Sequence, residues 1–143
     1  MQLKSPHFSR FVNALTEQLL CMAARGGEIS KSSAVLGKPE IEDTIRYLQA
    51  NYREPFSVEA WAEQHHISVC WFIRKFRERT GMTPLQYLTR LRIQKAKELL
   101  QYLDQIGTVA ELVGYSDPLY FSRIFKSRTG VSPTEYRKQI AGR

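Results

Sequence analysis

Long apolar runs and paired cysteines are what this 143-residue sequence lacks, and each absence closes off a class of protein. No apolar stretch approaches the ~20 residues that a membrane-spanning helix requires, and the N-terminus lacks the charged, apolar and small-residue segments of a secretory signal in their proper order. The expectation is a cytoplasmic protein with no membrane partner. Cys21 and Cys70, 49 residues apart, are the only cysteines, too few for a disulfide framework or a Cys-based zinc cluster. His65 and His66 are adjacent, with no cysteine pair or acidic cluster beside them, the setting of turn residues rather than of zinc ligands. No Ser, His and Asp arrangement, glycine-rich phosphate loop or paired catalytic carboxylates stand at a workable spacing. The expectation is therefore neither enzyme, cofactor nor metal.

What is present is basic charge, 21 Lys and Arg against 14 Asp and Glu, and its placement says more than its sum of +7. Residues 39–73 carry two basic side chains against six acids, whereas residues 74–97 carry eight against Glu78 alone. The sign then alternates again: residues 98–122 hold four acids and no Lys or Arg, and residues 123–143 hold six basic side chains against Glu135. Alternation of this kind points to a duplication.

The duplication is visible residue by residue. Phe72, Arg74, Phe76, Thr80, Gly81, Pro84 and Tyr87 reappear 49 positions later as Phe121, Arg123, Phe125, Thr129, Gly130, Pro133 and Tyr136. Upstream the offset is 48, pairing Val58, Ala62, Glu63 and Ser68 with Ile106, Ala110, Glu111 and Ser116, so one extra residue is expected just after Ser116. Each unit reads as short helix, tight turn, longer helix. Ser57 and Ser68 have the chemistry of N-caps, and Thr83-Pro84-Leu85-Gln86 and Ser132-Pro133-Thr134-Glu135 form capping-box patterns with proline at the first helical position.

A long helix is expected from Pro84 to about Tyr102, since Leu85, Leu88, Leu91, Ala96 and Leu99 recur at helical spacing without Gly or Pro between them. It joins the two units. Ahead of them, Ile41, Ile45 and Leu48 stripe a helix ending near Asn51. Residues 26–39 read as a linker, and Phe8, Phe11, Val12, Leu15, Leu19 and Met22 make an amphipathic helix with Ser5 as its cap. The fold class is all-α: two helix-turn-helix subdomains joined by a long connecting helix, with an extra N-terminal helix. Residues 1–38 form an accessory or dimerisation segment and residues 39–143 the main domain.

Helix, tight turn and a basic second helix is the arrangement that enters a DNA major groove. The runs SVEAWAEQHHISVCWFIRKFRERTGMTPLQYLTRLRIQKAKELL and IGTVAELVGYSDPLYFSRIFKSRTGVSPTEYRK make residues 39–140 resemble the AraC/XylS-type DNA-binding domain, twice and in register. At 100° per residue, Phe72 and Phe76 mark the core side of the first basic helix, and Cys70, Ile73, Arg74 and Arg77 fall opposite. In the second unit, Leu119, Ser122, Arg123 and Lys126 fall opposite Phe121 and Phe125. Arginine can fork onto guanine, and Cys70, Ile73 and Leu119 can press on thymine methyls.

The resemblance places base-reading positions at Cys70, Ile73 and Arg74, and at Pro118, Leu119, Ser122 and Arg123. Arg77 and Lys126, with the helix N-termini after Thr83 and Ser132, suit phosphate. Trp71 and Tyr120 are expected to pack. Arg90, Arg92, Lys95 and Lys97 lie on several faces of the connecting helix, where pairing with Glu98, capping of carbonyls and DNA contact are all open.

The implied function is a sequence-specific double-stranded DNA-binding transcription regulator whose connecting helix, about 18 residues and roughly 27 Å long, sets two recognition helices in adjacent major grooves. It would act in the cytoplasm at the nucleoid, with RNA polymerase as a further partner and a homodimer formed through residues 5–24. By analogy with longer relatives, residues 1–38 look like the tail of a sensor or dimerisation domain. A piece of a longer regulator and a complete short one are both open. The competing class is a helical interaction module whose basic faces bind an acidic protein partner.

Overall fold

Five of the helices start at a short polar side chain that accepts from a first-turn amide. The computed structural model describes residues 41–142. Within them lie α1 (Ile41–Ala50), α2 (Val58–Gln64), α3 (Val69–Thr80), α4 (Pro84–Leu99), α5 (Ile106–Leu112), α6 (Pro118–Thr129) and α7 (Pro133–Ala141), and no strand is found among the described residues. The expected helix at residues 5–24 and the linker at residues 26–39 lie outside them.

Ser57 accepts from the Ala60 amide and Ser68 from the Trp71 amide, both at 3.2 Å, each satisfying a first-turn donor. Thr83 and Ser132 close reciprocal capping boxes with Gln86 and Glu135, with Pro84 and Pro133 at the first helical position. The repeated Thr-Gly pair is a helix stop. Gly81 and Gly130 take the left-handed conformation at φ 77° and 86°. The hydroxyls of Thr80 and Thr129 donate to the Phe76 and Phe125 carbonyls, both at 2.8 Å, and accept from the Met82 and Val131 amides just beyond the turn.

Two expectations are corrected in register. The Ile67 amide reaches the Ala62 carbonyl and the Tyr115 amide reaches the Ala110 carbonyl, so the offset of 48 persists to the end of each turn. The cap of α6 is then Asp117, whose carboxylate accepts from the Leu119 and Tyr120 amides at 2.9 and 3.3 Å. Asp117 stands 49 positions after Ser68, so the inserted residue is Ser116 itself. The connecting helix α4 also stops at Leu99 rather than Tyr102, because the Gln101 and Tyr102 amides turn back to the Glu98 and Leu99 carbonyls in tighter i to i+3 bonds. Its 16 residues span about 24 Å.

Each unit has its own core, and α4 contributes to both. Leu48, Val58, Phe72, Phe76 and Leu88 form the first; Ile93, Ala96, Leu100, Val109, Val113, Phe121 and Phe125 centre the second. The four phenylalanines are fully buried, and each second one meets a tyrosine edge-on, Phe76 with Tyr87 at 5.6 Å and Phe125 with Tyr136 at 5.5 Å. Truncating any of these phenylalanines to alanine would cost about 3–5 kcal/mol. Trp71 and Tyr120 pack against these cores, as expected.

The two units are fastened to each other. Arg92, buried on α4, donates from Nε to the Tyr52 carbonyl at 2.6 Å and from its terminal nitrogen to the Glu54 carbonyl at 2.9 Å. Its guanidinium lies 5.2 Å from the ring centroid of Tyr115 in the second unit, while Tyr52 touches both cores. Gly114, at φ 90°, completes the junction: a Cβ there would stand 2.5 Å from the Arg53 carbonyl oxygen. Only a residue without a side chain lets the second turn lie this close to the α1–α2 loop.

Candidate nucleic-acid interface

The second helix of each unit, α3 and α6, presents to solvent the side that its phenylalanines leave free. On α3, Arg74 and Arg77 are exposed, while Cys70 and Ile73 are half-buried and Ile73 packs partly on the first core. On α6, Pro118, Arg123 and Lys126 are exposed, and Leu119 is 72% exposed, an unusual position for a large apolar side chain. Ser122 is half-buried, its hydroxyl donating to the Pro118 carbonyl at 2.9 Å. The α6 face is thus brought together as expected. The α3 face is narrower, with Ile73 turned partly inward and the arginines outermost.

The basic residues divide into engaged and unengaged sets. Lys75 pairs with Glu78 at 2.7 Å, Arg79 with Glu42, and Lys95 with Glu98 at 2.9 Å, while Arg137 meets the Asp104 carbonyl. The Lys75 hydrogen bond is the main cause that lowers the Glu78 carboxyl below its ordinary range. Arg74, Arg77, Arg123 and Lys126 have no ion pair or side-chain hydrogen bond among the described residues. These four cations stand on the repeated face.

The two helix termini expected to meet phosphate are less open than a bare helix end. At α4 the Thr83 amide is taken by Gln86 and the Gln86 amide by Thr83, and Pro84 has no amide to offer. The second helical amide, that of Leu85, is left as the donor without an intrahelical acceptor. At α7 the box is closed by Glu135, whose carboxyl is held below its ordinary range, first by the Ser132 backbone amide and then by the Ser132 hydroxyl. That terminus carries a negative charge where the α4 terminus carries a neutral amide.

His65 and His66 lie in the α2–α3 turn. His65 packs its ring 4.5 Å from that of Trp61, and His66 takes a left-handed φ of 53° where the second unit has Gly114. The cap role of Asp117 and the particular partners of Arg92, for which capping of carbonyls was one of the open readings, escaped the reading of the sequence. The Asp-Pro step before α6 was the available signal for the first; the partners of Arg92 lie 38 and 40 residues upstream, so no local pattern announces the second.

Two helix-turn-helix pairs in tandem, each with a solvent-facing basic second helix, define a double helix-turn-helix module. Residues 61–139 match the helix-turn-helix domain family, and the chain belongs to the AraC-type members of that family, DNA-binding transcription regulators. It is 40% identical over 127 residues to the HTH-type transcriptional activator RhaR of Pectobacterium atrosepticum, covering 88% of this chain and 45% of that protein. Among solved structures it is similar to the C-terminal domain of AraT, a response regulator from Geobacillus stearothermophilus, with 33% identity, a TM-score of 0.66, and 71% of this chain and 85% of that one covered. The DNA-binding domain of AdpA in complex with a target DNA gives a TM-score of 0.66 at 30% identity, covering 71% of this chain and 93% of that one. The chain spans less than half the length of the curated relatives it matches.

Proposed function

We propose that this chain binds double-stranded DNA sequence-specifically and regulates transcription by setting α3 and α6 into adjacent major grooves on one side of the duplex. The observation that carries this reading is the unengaged basic face repeated on both helices, opposite buried phenylalanine pairs. Arg74 and Arg123 fork onto guanine edges; Leu119, with Ile73 and Cys70, contacts thymine methyls, and Pro118 and Ser122 line the same reading surface. Arg77 and Lys126, with the termini at Thr83 and Ser132, hold phosphates and set the register. The ~24 Å connecting helix is short of the ~34 Å separating successive grooves on one face, so the recognition helices must reach outward from its ends or the DNA must bend.

Residues 39–143 are the DNA-binding unit in this reading, and residues 1–38 an accessory segment. The apolar stripe from Phe8 to Met22 supports a homodimer through residues 5–24. The activator names of the relatives support RNA polymerase as a second partner, and such a regulator works in the cytoplasm at the nucleoid. The test is selection from randomised duplexes, followed by binding to the selected site under excess random DNA. Retention of the selected site supports the reading; indifference to DNA together with capture of an acidic protein would replace it.

A further inference from the structure

The repeat invites a comparison of matched surfaces, and the outer side of the first helix-turn-helix pair differs in kind from that of the second. Tyr47 of α1, Phe56 of the α1–α2 loop, and Trp61 and His65 of α2 and its C-cap bring four rings together. Trp61 is the hub, its ring centroid 4.6 Å from that of Tyr47, 5.7 Å from Phe56 and 4.5 Å from His65. Tyr47 is 38% exposed and the other three are half-buried, so the cluster is only partly covered. At an offset of 48 its members are matched by Lys95, Asp104, Val109 and Val113. There the first two positions are charged and the two valines are fully buried.

The difference follows from what precedes each unit. The second is covered by the first: Tyr52 packs on the core that holds Val109 and Val113, and the Arg53 carbonyl lies against Gly114 in the adjoining turn. In the first unit the matched turn carries the exposed His66, and the chain ahead of α1 is residues 1–40. Those residues have the composition of a cover. Phe8, Phe11, Val12, Leu15, Leu19 and Met22 give an apolar stripe, with Lys4 and Arg25 beyond its ends. Residues 1–38 hold five basic side chains against Glu17 and Glu28, whereas the exposed Glu54 and Glu63 stand two residues from Phe56 and Trp61. Stripe and rings, cations and acids, are complementary. The 18 residues between Met22 and Ile41 reach up to about 60 Å when extended, ample to lay the stripe on the rings.

We propose that this aromatic face is the seat of residues 5–24, whose apolar stripe lies on the rings of Tyr47, Phe56 and Trp61. The assignment rests on the homodimer reading above for the copy that supplies the segment: residues 5–24 of each chain cross to the first unit of the other. The first unit is then flanked by an upstream element, as the second already is.

The test uses the full chain carrying Trp71→Phe, which leaves Trp61 as the sole tryptophan. Into it are placed Tyr47→Lys, which copies the matched Lys95, Glu63→Lys at an exposed position, and Phe11→Asp in the stripe, each checked for cooperative unfolding. Sedimentation gives the dimer constant, and acrylamide quenching reads the exposure of Trp61. The seat predicts that Tyr47→Lys weakens the dimer about tenfold and that Glu63→Lys weakens it most at low salt. Phe11→Asp should uncover Trp61 to the quencher. Dimers of unchanged strength in both face variants, with Trp61 quenched equally in Phe11→Asp, would refute the seat and leave the homodimer to pairing of the segment with itself. A chain that is monomeric throughout removes the homodimer instead. If Phe11→Asp still uncovers Trp61 in that monomer, the seat stands and is filled by the same chain; if it does not, the seat falls as well.

Discussion

Replacing Arg92 with methionine keeps the aliphatic volume on α4 and removes the guanidinium that ties the α1–α2 loop to the second unit. Two hydrogen bonds from a charged donor, at 2.6 and 2.9 Å, disappear together with the stacking over Tyr115. Charge-assisted bonds are worth about 1.5–3 kcal/mol each, and a cation over an aromatic ring adds about 0.5–2 kcal/mol. Part of this returns, because water can reach the Glu54 carbonyl in its exposed loop. The net expectation is a loss of about 2–4 kcal/mol. At ~4 °C per kcal/mol for a domain of about 100 residues, the melting midpoint falls by roughly 8–16 °C.

Urea unfolding followed by circular dichroism measures the first quantity and a thermal scan the second. Arg92→Lys, able to reach one carbonyl but not both, should fall between wild type and methionine. A loss below about 1 kcal/mol in Arg92→Met would refute the argument that this side chain fastens the two units. So would lysine and methionine variants of equal stability.

Gly114→Ala should destabilise by about 2–4 kcal/mol, since it joins a left-handed backbone to a collision with Arg53, whereas Gly130→Ala, left-handed but facing open space, should lose only about 1 kcal/mol; paired denaturation curves decide. Arg74→Ala or Arg123→Ala should lose about 1–3 kcal/mol on the selected duplex and relax preference in one half of it, while Lys126→Ala weakens all sequences alike and flattens the salt dependence. Because the folded Glu135 carboxyl sits below its ordinary value, its contribution is complete above the unfolded value and disappears as pH falls through the folded one. Acid titration of stability should therefore be less steep in Glu135→Gln, and equal steepness would count against that cap. Deleting residues 1–38 should leave one-site binding intact and weaken two-site binding, as measured by sedimentation and by DNA with one or two half-sites.

Local chemistry made much of the fold legible. A serine ahead of an apolar run and a Thr-Pro or Ser-Pro step with Gln or Glu two residues beyond the proline carry their hydrogen bonds within four residues; the Thr-Gly pair, seen in the sequence only as a repeated element, proves to be a helix stop of the same local kind. The repeat supplies the proline-led capping box and the Thr-Gly pair twice. The basic faces followed from helical phase alone, once Phe72 and Phe121 marked the core side. What stayed hidden depends on residues far apart in the chain. Arg92 looks like any solvated helix arginine until the loop at Tyr52 and Glu54 arrives from 38 and 40 residues away. Gly114 looks like a turn glycine, though the backbone of Arg53 is what forbids a side chain there. The identity of the α6 cap was missed for a subtler reason: serine and aspartate are both good caps, so a pairing of like residues put Ser116 where Asp117 belongs.

In the DNA-binding role proposed above, the fastening of the units at Arg92, Tyr52 and Gly114 would make the protein a gauge of helical phase as well as a reader of bases. Inserting one base pair between the two half-sites moves one of them by ~3.4 Å along the duplex and turns it by about 34°, the step of a helix with ~10.5 pairs per turn. A flexible tether would absorb that change; a junction held by a buried arginine does not. The duplex must then twist or bend to bring both grooves into line, and easily deformed steps between the half-sites acquire informational value although no side chain reads them.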